Sequence, residues 1–173
     1  LGVFYHIPRK EARQNIGVPP EDKMLLFVGR IEALKGVDTL LRAIAILKRK
    51  GVPGTEHLCL SIIGGDPEGS PEQMNAEMAR LQELRQSLGI TDTVAFLGKR
   101  DQDSLRNYYA AAEAVVMPSH YESFGMVALE AMACGTPVVA SEVGGLAFLV
   151  KDGVTGFHVP DRDPEALTAR LEE

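Results

Sequence analysis

The chain has 173 residues, 45% of them hydrophobic and 24% charged, enough for one ordinary domain with a sizeable core. That composition excludes a disordered tail, a collagen-like rod and a disulfide-stapled miniprotein, and a formal net charge of −6 speaks against general nucleic-acid binding. No apolar run approaches the ~20 residues needed to span a bilayer. The two cysteines, Cys59 and Cys134, lie in apolar runs and read as buried free thiols of a reducing, cytoplasmic compartment. The chain begins at Leu1 with no signal-peptide pattern, so it reads as a piece of something longer. Its charge is uneven. Residues 1–50 hold ten Lys or Arg against five Asp or Glu. That excess suits a small anion, or else reflects the solvated cluster Lys48, Arg49 and Lys50.

Residues 1–20, with prolines at 8, 19 and 20, read as a polar linker with a short helix over Glu11–Asn15, and residues 21–173 as the domain. Met24–Val28 is a continuous apolar run closed by Gly29, the pattern of a fully buried strand. Apolar residues at 37, 40, 41, 44 and 47 then mark one face of a helix over Gly36–Lys50. The alternation continues with strands at Leu58–Ile63, Thr93–Leu97, Ala114–Met117, Pro137–Ala140 and Gly156–Val159. The helices between them are predicted over Pro71–Leu88, Asp103–Ala112 (Asp103 as N-cap), Phe124–Cys134 and Gly145–Val150, with a last one from Pro164. Strands alternating with helices predict a Rossmann-like α/β fold, a doubly wound parallel sheet with helices on both faces. Such sheets bind ligands beyond the carboxyl ends of their strands. Every strand-to-helix loop is therefore a candidate by position.

Two loops carry chemistry. Gly29 to Gly36 places Arg30 and Lys35 just before a helix N-terminus. Cations are unfavourable at that end of the macrodipole, so an arriving anion would explain them, and two solvated loop cations would be the plain alternative. The segment has neither a Walker A pattern nor G-x-G-x-x-G. The second loop precedes a helix whose apolar residues lie almost all round: Phe124, Met126, Val127, Leu129 and Met132. A helix of that kind should be buried, and a carboxylate inside it, Glu130, is costly unless paired. Glu122 stands eight residues earlier. Eight helical residues span about 12 Å and turn about 80° beyond whole turns. The two carboxylates would then face roughly one side, suited to two ends of one extended ligand rather than to a shared proton. A capping Glu122 and a backbone-paired Glu130 is the alternative. The patterns Asp101-Gln102-Asp103 and Asp161-Arg162-Asp163 could hold a divalent metal, but each precedes a helix and reads better as an N-cap. His120 reads as peripheral, and the remaining histidines show no metal spacing.

The stretch PSHYESFGMVALEAMACGTPVVASEVGG resembles the signature of retaining glycosyltransferases of the GT-B fold, family 4, in which Glu122 and Glu130 fit the E-x7-E motif. FVGRIEALKGVDTLL, IIGG, VAFLG and LVKDGVTGFHV match the same family in the same order, so the resemblance covers roughly residues 24–170. Sucrose-phosphate synthases and the mycothiol-pathway enzyme belong to that family. The resemblance implies the C-terminal, donor-binding half of a GT-B enzyme, with the acceptor-binding N-terminal domain absent and this piece alone inactive. It implies that Gly29, Arg30 and Lys35 hold the donor diphosphate and that Glu122 is the catalytic carboxylate beside the donor sugar. Ser123, Phe124, Gly125 and Met126 would meet the sugar, Glu130 the ribose, and Gly98, Lys99, Arg100 and Gly64 the base region. The substrate would be a nucleoside diphosphate sugar, with no metal or other cofactor, no nucleic-acid partner and no transmembrane segment. A sugar-nucleotide epimerase and a nucleotide-binding regulatory module remain as alternatives.

Overall fold

The computed structural model describes residues 4–51, 53, 55–67 and 75–172. Six strands form one parallel sheet in the order β3-β2-β1-β4-β5-β6. They are β1 (Lys23–Val28), β2 (Leu58–Ile63), β3 (Val94–Gly98), β4 (Ala114–Met117), β5 (Val138–Ser141) and β6 (Gly156–Val159). The helices are α1 (Arg9–Ile16), α2 (Val37–Lys50), α3 (Ala76–Ser87), α4 (Gln102–Ala111), α5 (Met126–Ala133), α6 (Leu146–Leu149) and α7 (Pro164–Leu171). This is the doubly wound order, and it reverses direction between β1 and β4, where such sheets open a crevice.

Strand β1 shows why the sheet takes helices on both faces. Leu25 and Phe27 enter one core with Leu40, Leu41 and Ile44 of α2, and Met24 and Leu26 enter the other with Tyr109, Ala110 and Ala128. Successive side chains point to opposite faces, so an unbroken apolar strand needs a partner layer on each side. Helices α2 and α7 pack together in one layer, and α1, α4 and α5 in the other.

Residues 4–20, read from sequence as a linker, are packed into the domain. Ala12 is fully buried, α1 lies on α4, and Phe4 meets the Tyr109 ring edge-on at 5.6 Å. Arg13 fastens this segment. Its buried guanidinium donates to the carbonyls of Ala111, Pro19, Pro20 and Asp22, and pairs with Glu113 at 3.2 Å. A buried charge is tolerated because each of its nitrogens finds an acceptor.

Several helix boundaries differ from the sequence reading, α1 for one running over Arg9–Ile16 rather than Glu11–Asn15. Asp101, not Asp103, is the N-cap of α4, accepting from Ser104 N at 2.8 Å, while Asp103 pairs with Arg106. The described part of α3 starts at Ala76 behind an Asn75 cap, and its predicted beginning at residues 71–74 lies outside the described residues. Helix α5 starts at Met126 rather than Phe124, because Gly125 takes left-handed φ 87° and turns the chain into the helix. The expectation that α5 is buried all round fails as well. Only its alanine side, Ala128 and Ala131, is fully covered, while Phe124 and Met126 are exposed at the carboxyl edge of the sheet.

Candidate functional site

The loop after β1 and the loop after β4 meet at the switch point. His120 N–H donates to Leu34 O at 2.8 Å, and Gly36, in left-handed φ 69°, lies so close to the Pro118 carbonyl that no Cβ would fit. A 3-10 turn over Ala33–Lys35 then aims the lysine across the gap. Lys35 Nζ lies 2.9 Å from Glu122 Oε2, with the two side chains 19% and 16% exposed. The buried Ser119 adds a longer hydrogen bond, Oγ to Glu122 Oε2 at 3.4 Å. The Glu122 carbonyl accepts from Gly145 N at 2.8 Å, and Gly144 packs against the same carbonyl, so the loop after β5 supports the carboxylate from behind.

These loops enclose a cleft of about 220 Å³ lined by Gly29, Lys35, Ser119, Glu122, Ser123, Phe124, Gly125, Met126 and Val127, among others. No side chain caps the amino end of α5, which opens onto this cleft. A cation, a carboxylate and a helix N-terminus thus share one small space, in which the cation and the helix N-terminus favour an anion and the carboxylate opposes it.

A second cleft of about 470 Å³ lies along the same sheet edge, lined by Gly65, Asp66, Pro67, Phe96, Leu97, Gly98, Lys99 and Arg100. The Arg100 guanidinium donates to the Leu97 and Lys99 carbonyls. Gly64 joins the two clefts. Its N–H donates to Gly98 O at 2.8 Å, and its missing Cβ lets the Gly29 carbonyl approach. Gly64 therefore has a backbone reason to be glycine, apart from any ligand.

The structure brings Lys35, Glu122 and residues 123–126 together, but it does not bring Arg30 to them. Arg30 is 82% exposed along its side chain, with Nε 3.4 Å from Glu32, and it lines neither cleft. Glu130 also lines neither cleft. It is half-buried in α5, its side chain makes no hydrogen bond or ion pair to a described residue, and burial raises its pKa from the ordinary carboxylate value. The backbone pairing considered for its carboxylate from sequence is not found among the described residues, and burial leaves that carboxylate a partly desolvated acceptor. Glu122 is not a helix cap either. Because it precedes α5 by four residues, helical geometry does not set its distance from Glu130.

Sequence reasoning missed Ser119, Gly36 and the Gly144-Gly145 pair. The glycines carried a signal, since a Gly just after a strand or before a helix marks close backbone approach. Ser119 carried none.

The residues 8–173 match the family model for glycosyl transferases group 1. The chain is 48% identical over 156 residues to D-inositol 3-phosphate glycosyltransferase 2 of Catenulispora acidiphila, covering 90% of this chain and 36% of that protein. Its structure is similar to that of a sucrose-phosphate synthase from Thermosynechococcus elongatus, with TM-score 0.84 and 40% identity over 99% of this chain and 40% of that one. It is also similar to Anabaena HepE in complex with UDP-glucose, with TM-score 0.78 and 28% identity over 97% of this chain and 43% of that one. The chain thus spans well under half the length of these relatives. With a doubly wound sheet, a cleft at its switch point and a family match over nearly its whole length, this chain belongs to the glycosyl transferases group 1 family.

Proposed function

We propose that the chain is the donor-binding half of a retaining glycosyltransferase that moves a sugar from a nucleoside diphosphate sugar to an acceptor hydroxyl. The carrying observation is the Lys35–Glu122 pair facing the uncapped end of α5 at the switch point. In such a transfer the bond from the anomeric carbon to the phosphate oxygen breaks. The acceptor oxygen bonds to that carbon, and the acceptor's proton leaves with the diphosphate. Lys35 and the amides of the first turn of α5 stabilise the leaving diphosphate, and Glu122 faces the sugar, where positive charge develops. The second cleft, with Gly98, Lys99 and Arg100, takes the base, and Glu130 accepts from the ribose hydroxyls. UDP is the first nucleotide to test, because the HepE structures are of complexes with UDP and UDP-glucose. The name of one relative carries D-inositol 3-phosphate and that of another a phosphorylated sugar product, which supports a phosphorylated, hydroxyl-rich acceptor. The free thiols of Cys59 and Cys134 support a cytoplasmic setting, and among the described residues no helix is long and apolar enough to cross a membrane.

Metal-free binding is part of this reading. The aspartates of the two D-x-D patterns are engaged elsewhere: Asp101 and Asp163 as helix caps, Asp103 with Arg106, and Asp161 with His120. Calorimetry with UDP, GDP and ADP in EDTA is expected to show binding of at least one of them. Binding that appears only with Mg²⁺ or Mn²⁺ would reverse the conclusion.

The two glutamates separate the ends of the ligand. Glu130→Gln keeps the shape and loses the charged acceptor, so UDP and UDP-glucose should both weaken, by roughly 5- to 30-fold for a loss of about 1–2 kcal/mol. Glu122→Gln should leave free UDP no weaker, since it releases Lys35 from its carboxylate partner, and should lower turnover of the whole enzyme. A Glu130→Gln chain with unchanged UDP affinity would remove Glu130 from the ribose site.

A further inference from the structure

The loop from Pro118 to Gly125 carries Glu122 but has no secondary structure of its own, so its position depends on tethers. Two of them converge on His120. Its backbone N–H donates to Leu34 O at 2.8 Å, beside Lys35. Its ring Nδ1 lies 2.7 Å from Asp161 Oδ1, in the loop between β6 and α7. An ionised carboxylate only accepts, so Nδ1 carries the proton and donates. The ring also packs against Gly36, whose ideal Cβ would stand 3.4 Å from Cε1. The side chains of His120 and Asp161 are 14% and 26% exposed, and neither lines the cleft.

The segment holding Asp161 is itself constrained. Arg162 takes left-handed φ 56°, the one non-glycine positive φ among the described residues, and its Nη1 lies 3.3 Å from Asp161 Oδ2. On the other side Asp163 caps α7 through Ala166 N at 2.9 Å. A non-glycine residue is held in that region only where its surroundings enforce it. Asp161 is thus presented to His120 by a fixed turn, from 41 residues away in sequence.

We propose that His120 and Asp161 are a positioning pair for the donor site, holding the Glu122 loop in register with the Lys35 loop. The role rests on the donor-site reading above. Reacting groups must be held to within about 0.5 Å of their working geometry. The Lys35–Glu122 contact is formed by two loops, and the imidazole lies where those loops meet the β6–α7 turn. Through this contact a residue near the far edge of the sheet, after β6, sets the geometry at the switch point. The pair acts on the diphosphate and sugar end of the ligand. The nucleoside end, at Glu130 and the Lys99–Arg100 cleft, makes no contact with it.

The test is a titration of the unmutated chain and of Asp161→Ala, Asp161→Asn and His120→Ala with UMP, UDP and UDP-glucose, alongside thermal melts. If the unmutated chain prefers GDP or ADP, the matching series replaces it. Asp161→Ala and His120→Ala are expected to weaken UDP-glucose at least fivefold while changing UMP less than twofold. Asp161→Asn retains an acceptor oxygen for Nδ1–H, so this variant should recover most of the loss. Equal weakening of UMP and UDP-glucose, tracking a lower melting temperature, would show a merely structural contact and overturn the proposal. Unchanged UDP-glucose affinity in both alanine variants would overturn it while leaving the donor site standing. An unmutated chain that binds none of UDP-, GDP- or ADP-glucose would overturn the donor site, and the pair's role with it.

Discussion

Replacing Lys35 with alanine is expected to weaken UDP binding by roughly ten- to a hundredfold. A hydrogen bond to a charged group contributes about 1.5–3 kcal/mol, and each 1.4 kcal/mol is tenfold. The geometry adds a second cost. Lys35 Nζ neutralises Glu122 at 2.9 Å inside a cleft where both side chains are more than three-quarters covered. Without the lysine, a partly desolvated carboxylate faces the incoming diphosphate with nothing between them. The double variant Lys35→Ala/Glu122→Gln should therefore bind UDP better than Lys35→Ala alone, and that difference less the effect of Glu122→Gln by itself is the coupling between the two residues. Arg30→Ala should cost less, because that side chain is mostly in water and paired to Glu32. Calorimetry on these three variants and on Glu122→Gln checks the order. Equal losses for Arg30→Ala and Lys35→Ala, or a double variant no better than the single, would mean that Lys35 is not the main phosphate cation.

Gly36→Ala is expected to have the largest effect on folding among the site variants, about 2–4 kcal/mol. Part is the left-handed backbone at φ 69°, worth about 1–2 kcal/mol for a residue with a Cβ. The rest is collision with the Pro118 carbonyl, which cannot retreat without stretching the His120 N–H to Leu34 O bond. For a chain of this size the melting temperature should fall by roughly 5–15 °C. Gly51→Ala is the control. Gly51 has φ 60° as the cap of α2, and a Cβ there meets nothing within 4 Å, so only the conformational cost of about 1–2 kcal/mol applies. A Gly36→Ala chain that melts with Gly51→Ala and binds UDP normally would show that the two loops tolerate separation. The expected result is instead a loss of UDP affinity beyond the loss of stability, because the displaced loop carries Glu122.

The parallel sheet is legible in the residue pattern. Unbroken apolar runs such as Met24–Val28 and Leu58–Ile63, each closed by glycine and followed by an amphipathic helix, require a parallel sheet covered on both faces, because burial is set by local pattern. The same pattern also located the two charged loops, since strand ends can be read from Gly29 and Pro118, and the strand order then places both at the switch point. The resemblance to a known family singled out Glu122 and Glu130, of which the structure places Glu122 in the switch-point cleft and Glu130 outside both clefts.

Which charges meet depends on how the strands are ordered in space. Arg30 and Lys35 look equivalent in sequence, but the 3-10 turn at Ala33–Lys35 aims one at Glu122 and leaves the other in solvent. Asp161 looked like a cap or a metal ligand, and it is a partner of His120 because β6 lies two strands from β4 in the sheet. The apolar composition of α5 suggested burial all round, whereas its position at the carboxyl edge exposes Phe124 and Met126. Local pattern encodes which face of an element is apolar. The partner of a charged side chain depends on long-range strand order, which no window of sequence contains.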